Sequence, residues 1–173
     1  MVRLNGVDLD VLAKARQEFE RNPAAARRTN VVEGRWDPQT GQFVSEIEWG
    51  GRTHVIRSEQ PPFMGGAGRE LGPLHYCLYG SAACYVGTLV SVAAEAGIDL
   101  GTVQVRIEND INFRPVLGLS NEPIVEQVRI HVRVSAPLDE ATLQQLKEQA
   151  DRHCPGMYCL TKPIPVETIV TAG

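Results

Sequence analysis

Four cysteines occur among the 173 residues, and two of them sit where a thiol could do chemistry. Cys84 lies in Leu74-His75-Tyr76-Cys77-Leu78-Tyr79-Gly80-Ser81-Ala82-Ala83-Cys84-Tyr85-Val86-Gly87-Thr88-Leu89, an apolar, small-residue run that predicts a buried helix. Cys154 follows an amphipathic stretch and precedes proline in Asp151-Arg152-His153-Cys154-Pro155-Gly156. One thiol on a core helix and another at a helix end suggest a redox pair rather than a structural staple. Gly80, Ser81, Ala82, Ala83 and Gly87 leave space beside Cys84, for a pocket or for a close helix–helix contact. Free cysteine is also a common small hydrophobe in cores, so spacing alone leaves Cys84 open between catalyst and filler.

The other two cysteines carry weaker signals. Cys77 is seven residues before Cys84, on the same helical face, and reads as plain core. Cys154 and Cys159 are five apart, neither a CxxC motif nor a common zinc spacing. His75 and His153 do not complete a ligand pattern, so neither a metal nor a cofactor is expected. At a helix end Cys154 reads as an exposed, mobile thiol, either a resolving partner or a solvent-facing bystander.

Elements must position these thiols, and the chain is long enough for one domain with a substantial core. A net charge of −4 gives no reason to expect nucleic acid or an anionic membrane as partner. No apolar run is expected to reach the roughly 18 residues that span a bilayer. The start, Met1 to Asp8, lacks the apolar segment of a signal peptide. A cytoplasmic location follows, where paired cysteines are more often catalytic, redox-sensing or metal-binding than structural.

Residues 8–21 pattern as a short amphipathic helix closed by Asn22-Pro23. Residues 29–58 predict three strands, with turn chemistry at Asp37–Gly41 and Gly50-Gly51. Phe43, Ile47 and Trp49 share one face, Glu46 and Glu48 the other. Residues 60–72 form a loop, and Pro73 opens a helix that runs to about Ala96 and stops at Gly97. With no Lys, Arg, Asp or Glu from Leu74 to Ala94, this helix is expected to be buried nearly all round. Strands through Val103–Glu108 and Gln127–Val134 alternate as in an antiparallel sheet. A polar helix over about 138–152 and a last strand at Pro165–Val170 complete an α+β domain.

Taken in order, these segments resemble the OsmC/Ohr family over roughly residues 30–170. The resemblance is carried by Gly65-Gly66-Ala67-Gly68, Pro73, Ser81-Ala82-Ala83-Cys84, Leu138-Asp139, His153-Cys154-Pro155 and Lys162-Pro163-Ile164-Pro165-Val166. It implies an α+β OsmC-like fold, with antiparallel sheets around a long central helix, assembled as an intertwined homodimer. Residues 1–28 are then an N-terminal helical arm that packs on a neighbour, and 29–173 the OsmC-like domain. The resemblance also implies a peroxidatic Cys84, a resolving Cys154, an organic hydroperoxide substrate and a dithiol reductant. An arginine beside the reactive cysteine belongs to the same pattern. Gly34-Arg35 makes Arg35 the candidate, with Arg28, Arg52 and Arg57 as rivals.

The chain departs from the family at one position. An orienting glutamate is expected after the proline that opens the helix, and Leu74 stands there. Leucine cannot accept an arginine's hydrogen bonds; Glu70, one turn earlier, is the candidate substitute. Three functions are consistent with this pattern. They are a thiol peroxidase working through Cys84 and Cys154, a non-peroxidatic protein binding a small apolar or acyl ligand in the dimer cavity, and a redox sensor or structural dimer whose disulfide alters shape without turnover.

Overall fold

The computed structural model describes residues 2–172, and these divide into two compact units. One comprises residues 10–79; the other joins residues 2–9 to 80–172. Two short strands, β1 (Arg3–Leu4) and β2 (Val7–Asp8), precede helix α1 (Leu9–Arg21), which from Asp10 onward belongs to the unit of residues 10–79.

The unit of residues 10–79 is built on a meander of β3 (Gly34–Asp37), β4 (Gln42–Trp49) and β5 (Arg52–Glu59), antiparallel in that order. Its turns follow from local chemistry. Asp37 Oδ1 accepts the Gln39 N–H at 2.9 Å, and Oδ2 accepts the Thr40 hydroxyl at 2.9 Å. These bonds, the Gln39 one foremost, hold the Asp37 carboxyl below the usual carboxylate range. Gly50 and Gly51 both have positive φ, 60° and 73°, the pairing a two-residue type I′ hairpin requires.

The loop after β5 is organised by one buried carboxylate. Glu59, 2 % exposed, accepts backbone N–H groups from Arg69, from Glu70 at 2.9 Å and from Ala67 at 3.4 Å. The Arg69 guanidinium lies 3.8 Å from the same carboxylate. The Glu70 N–H is the largest influence on this group, and the set outweighs burial, so Glu59 titrates below its ordinary value. Gly66 is dictated by close approach: a Cβ there would fall 1.6 Å from the Gln60 carbonyl oxygen. Ser58 donates its hydroxyl to the Leu71 carbonyl at 3.0 Å, and Tyr76 donates its own to the Arg57 carbonyl at 2.8 Å.

Helix α2 (Pro73–Glu95) starts on the expected proline and ends as expected. Gly97 has φ 71°, its N–H donates to the Ala94 carbonyl, and the Ile98 N–H donates to the Ala93 carbonyl. That is a Schellman cap. Two expectations about this helix fail. Only Ala82, Tyr85, Leu89, Ala93 and Ala94 are buried, while Tyr79 is 73 % exposed. One stripe is covered by this chain, and the uncharged opposite face is not. By length and composition α2 is also apolar enough to cross a bilayer, which corrects the statement that no run is. Its covered stripe nevertheless belongs to a packed protein core.

In the other unit, β6 (Val103–Ile111) pairs antiparallel with β7 (Val125–Val134), with a register shift at Asp110/Ile111. A short helix, α3 (Phe113–Val116), lies in the connection. Arg129 on β7 grips Asp110 with both Nη atoms (2.6 and 2.8 Å) and Glu108 through Nε (2.8 Å). Helix α4 (Glu140–His153) starts where Asp139 accepts the Thr142 N–H at 2.7 Å. The core joins Tyr85, Leu89 and Ala93 of α2 to Leu146 and Ala150 of α4, to Leu100 and to Cys154. Val103, Ile130, Val132 and Val134 of the sheet pack against it. Asn5, at the β1–β2 turn with φ 53°, donates to the Ile98 carbonyl (2.8 Å) and accepts the Leu100 N–H (2.9 Å). The β1–β2 pair, helix α3 and helix α5 (Pro155–Thr161) were not anticipated. The strand expected at Pro165–Val170 does not form; Val166, Ile169 and Val170 are 81 %, 76 % and 90 % exposed. A strand exists only by pairing, and no described strand pairs with this segment.

Glu59 gives a pH test. A carboxyl with a lowered folded-state pKa adds stability above its unfolded value and loses it as pH falls through the folded one. Glu59→Gln is therefore expected to lower the Tm at neutral pH. The gap to the parent should close as the pH falls below the ordinary carboxylate value of 4.5. Thermal unfolding followed by circular dichroism over about pH 3 to 7 reads this; a gap that persists at the acid end refutes it.

Candidate active site

The two thiols singled out by type and spacing come together. Cys84 Sγ accepts a hydrogen bond from the Cys154 thiol at 3.6 Å, and both cysteines are free. A disulfide needs about 2.05 Å between sulfurs, so bond formation asks for roughly 1.5 Å of closure. Cys84 is carried by α2 between the buried Ala82 and Tyr85. Cys154 occupies the joint between two helices. Its N–H donates to the Ala150 carbonyl (2.9 Å), ending α4, and its carbonyl accepts the Tyr158 N–H (3.0 Å), starting α5. Pro155 explains the joint: it cannot donate to a continuing α4, and its fixed φ suits the first turn of α5.

Backbone donors at the start of α5 address both sulfurs. The Gly156 N–H donates to Cys84 Sγ at 3.4 Å and the Met157 N–H to Cys154 Sγ at 3.4 Å. Gly156 allows this approach, because a Cβ there would lie 3.2 Å from Cys84 Cβ, 3.5 Å from Cys84 Sγ and 3.6 Å from Cys154 Sγ. Next to the pair, Tyr85 donates its hydroxyl to Asp151 Oδ1 at 3.0 Å, and Lys147 Nζ pairs with Asp151 Oδ2 at 2.7 Å. This network pins α2 to the last turn of α4. Burial first, then Asp151, pushes the Tyr85 phenol well above its ordinary value.

Burial likewise pushes the Cys84 thiol above its ordinary value of 9.0. The Gly156 N–H pulls the other way, and the neighbouring Cys154 adds to the rise. None of the leading influences on Cys84 is a cation.

Several expectations change here. Cys154 is 1 % exposed, not an exposed thiol, because the α4–α5 joint tucks it into the core. Cys77 is exposed rather than core, since it lies on the uncovered part of α2. Arg35 and Glu70 belong to the unit of residues 10–79. There Arg35 on β3 and Arg57 on β5 stand on either side of Val44 on β4, so two of the candidate arginines share one face of the meander. Glu70 is exposed, and its N–H is held by Glu59. Leu74, in the first turn of α2, is 40 % exposed. Gly156, Met157 and Asp151 were missed. The sequence signal was present in Cys-Pro-Gly, where proline opens a turn and glycine permits a close contact.

A family model described as OsmC-like protein matches residues 66–169. The chain belongs to that family. Solved structures agree on the fold. An OsmC-like protein from Mycoplasma pneumoniae superposes with a TM-score of 0.62 at 16 % identity, over 77 % of this chain and 87 % of that one. An organic hydroperoxide resistance protein OsmC from Legionella pneumophila gives 0.56 at 16 % identity, over 78 % and 92 %. The organic hydroperoxide resistance protein OhrB of Bacillus subtilis gives 0.55 at 21 % identity, over 78 % and 91 %. Comparison with curated proteins gives no match. The α+β OsmC-like fold is thus established for this chain.

Gly156→Ala tests the packing at the pair. The added methyl presses on Cys84 Cβ at 3.2 Å while meeting both sulfurs at ordinary contact distance, and overpacking costs roughly 1–3 kcal/mol. The expected outcome is a lowered denaturation midpoint together with several-fold slower closure of the Cys84–Cys154 bond under diamide, followed by thiol counting. Closure at the parental rate would show that the glycine is not needed for approach.

Proposed function

We propose that this OsmC-like protein is a thiol peroxidase that reduces organic hydroperoxides, with Cys84 peroxidatic and Cys154 resolving. The observation that carries this reading is the 3.6 Å separation of two free thiols, each taking a backbone N–H donor. The Cys84 thiolate attacks the distal peroxide oxygen, the O–O bond breaks, and the alkoxide leaves as an alcohol after protonation. Cys84 is left as a sulfenic acid. Cys154 then attacks that sulfur, water leaves, and a disulfide forms. A dithiol donor returns both thiols and becomes oxidised. The solved structures named for organic hydroperoxide resistance lend support at the level of the fold.

A buried thiol needs a cation to ionise near neutral pH. Arg35 is assigned that task, with Arg57 across Val44 as its rival and Glu70 as the orienting acid in place of the missing one at Leu74. The protein works as a homodimer in the cytoplasm. A second copy accounts for the uncovered face of α2 and for the exposed Trp36, Phe43 and Trp49, at 53 %, 41 % and 76 %. The N-terminal arm, residues 1–28, braces that assembly. Leu74 favours one second reading, a non-peroxidatic protein that binds a small apolar or acyl ligand.

Cumene hydroperoxide consumption with a dithiol donor decides between them. Cys84→Ser is expected to abolish turnover, and Cys154→Ser to stop after one equivalent with a sulfenic acid on Cys84. Turnover that survives Cys84→Ser sinks the peroxidase reading. Arg35→Gln removes the assigned cation and leaves only the Gly156 N–H to oppose burial, so the pH midpoint for alkylation of Cys84 should rise. Light scattering should give a particle of twice the 19.0 kDa chain mass.

A further inference from the structure

Cys154 is 1 % exposed, so a reductant in solution has no direct route to that sulfur, and Cys84 is half-buried. A third thiol is better placed. Cys159 is exposed and lies on α5, three residues after Gly156. The Cβ that Gly156 lacks would lie 3.2 Å from Cys84 Cβ and 3.5 Å from its sulfur, so the Gly156 side of α5 is the side turned to Cys84. Residues three apart on a helix share a face, with Cβ atoms about 5–6 Å apart. Cys159 therefore stands one turn beyond the contact, on the same face. It also lines a cleft of about 620 Å³ with Tyr85, Asp151 and Met157. Cys77, by contrast, is two turns from Cys84, about 10 Å along the axis of α2.

We propose that Cys159 is an exit thiol, which exchanges with the Cys84–Cys154 disulfide and carries the oxidation to the surface, where a dithiol reduces it. This rests on the reading above only in that Cys84 and Cys154 form that bond. Cys159 gives its proton to water, and its thiolate attacks the Cys84 sulfur. The Cys84–Cys159 bond forms as the Cys84–Cys154 bond breaks. The electron pair leaves on Cys154, which holds the Met157 N–H at 3.4 Å and then takes a proton. A leaving sulfur stabilised in this way departs faster. An external dithiol next attacks the exposed Cys159 sulfur and releases Cys84. Its second thiol displaces Cys159, so the dithiol ends as a disulfide and both cysteines end reduced.

Diamide oxidation of the full chain makes the test independent of peroxide. Oxidised protein is mixed with dithiothreitol, quenched with iodoacetamide at intervals and mapped by mass spectrometry. The parent should show a transient Cys84–Cys159 linkage. Cys159→Ser should form the Cys84–Cys154 bond as fully as the parent and be reduced at least tenfold more slowly, with Cys77→Ser behaving as the parent. Reduction of Cys159→Ser at the parental rate, no Cys84–Cys159 linkage at any time, or no Cys84–Cys154 bond under diamide would each overturn the proposal. Absence of peroxide turnover alongside the expected diamide results removes the peroxidase reading alone.

Discussion

The site depends on the approach of the α4–α5 joint to α2, where Gly156 meets Cys84. At that point a backbone with no side chain faces a sulfur at 3.4 Å from its N–H. Cys154 is fixed by the same joint, because its N–H closes α4, its carbonyl opens α5 and its sulfur takes the Met157 N–H. Leu146 and Ala150 of α4 pack with Leu89 and Ala93 of α2 in one core, and the Tyr85–Asp151 bond locks the register between the helices. The separation of the sulfurs is therefore a consequence of helix packing, not of loop conformation.

Electrostatics at the pair pull in two directions. Burial favours the neutral thiol, whereas the N–H donors favour the thiolate. Burial wins at Cys84, so the packing that brings the sulfurs together also favours the neutral form of that thiol. Packing within one unit sets the distance between the sulfurs.

Helix α2 carries a second consequence of its composition. Its covered stripe contains Tyr85, Leu89, Ala93 and Ala94, and its other faces are apolar or small without being buried. The meander repeats the pattern, with Trp36 and Phe43 opposed across β3 and β4 yet both exposed. Both elements therefore carry large apolar side chains that stay exposed in this chain.

Much of the fold was legible in local chemistry. Pro73 and Gly97 bound α2, Asp139 caps α4, and Gly50-Gly51 makes the β4–β5 turn, because each acts through its own backbone within a few residues. Period-two alternation placed β6 and β7 for the same reason. Cys84 and Cys154 stood out by type and by what flanks them. Burial was not legible: an uncharged helix predicts that something covers it without saying what, and Cys154 looked exposed because a helix end before proline usually is. Nor could Pro165–Val170 reveal that this chain offers it no partner. Only the tertiary structure decided that Gly156 faces Cys84 and that the sulfurs lie 3.6 Å apart. Those facts join positions about 70 residues apart, and such distances come from packing of whole helices rather than from any local preference.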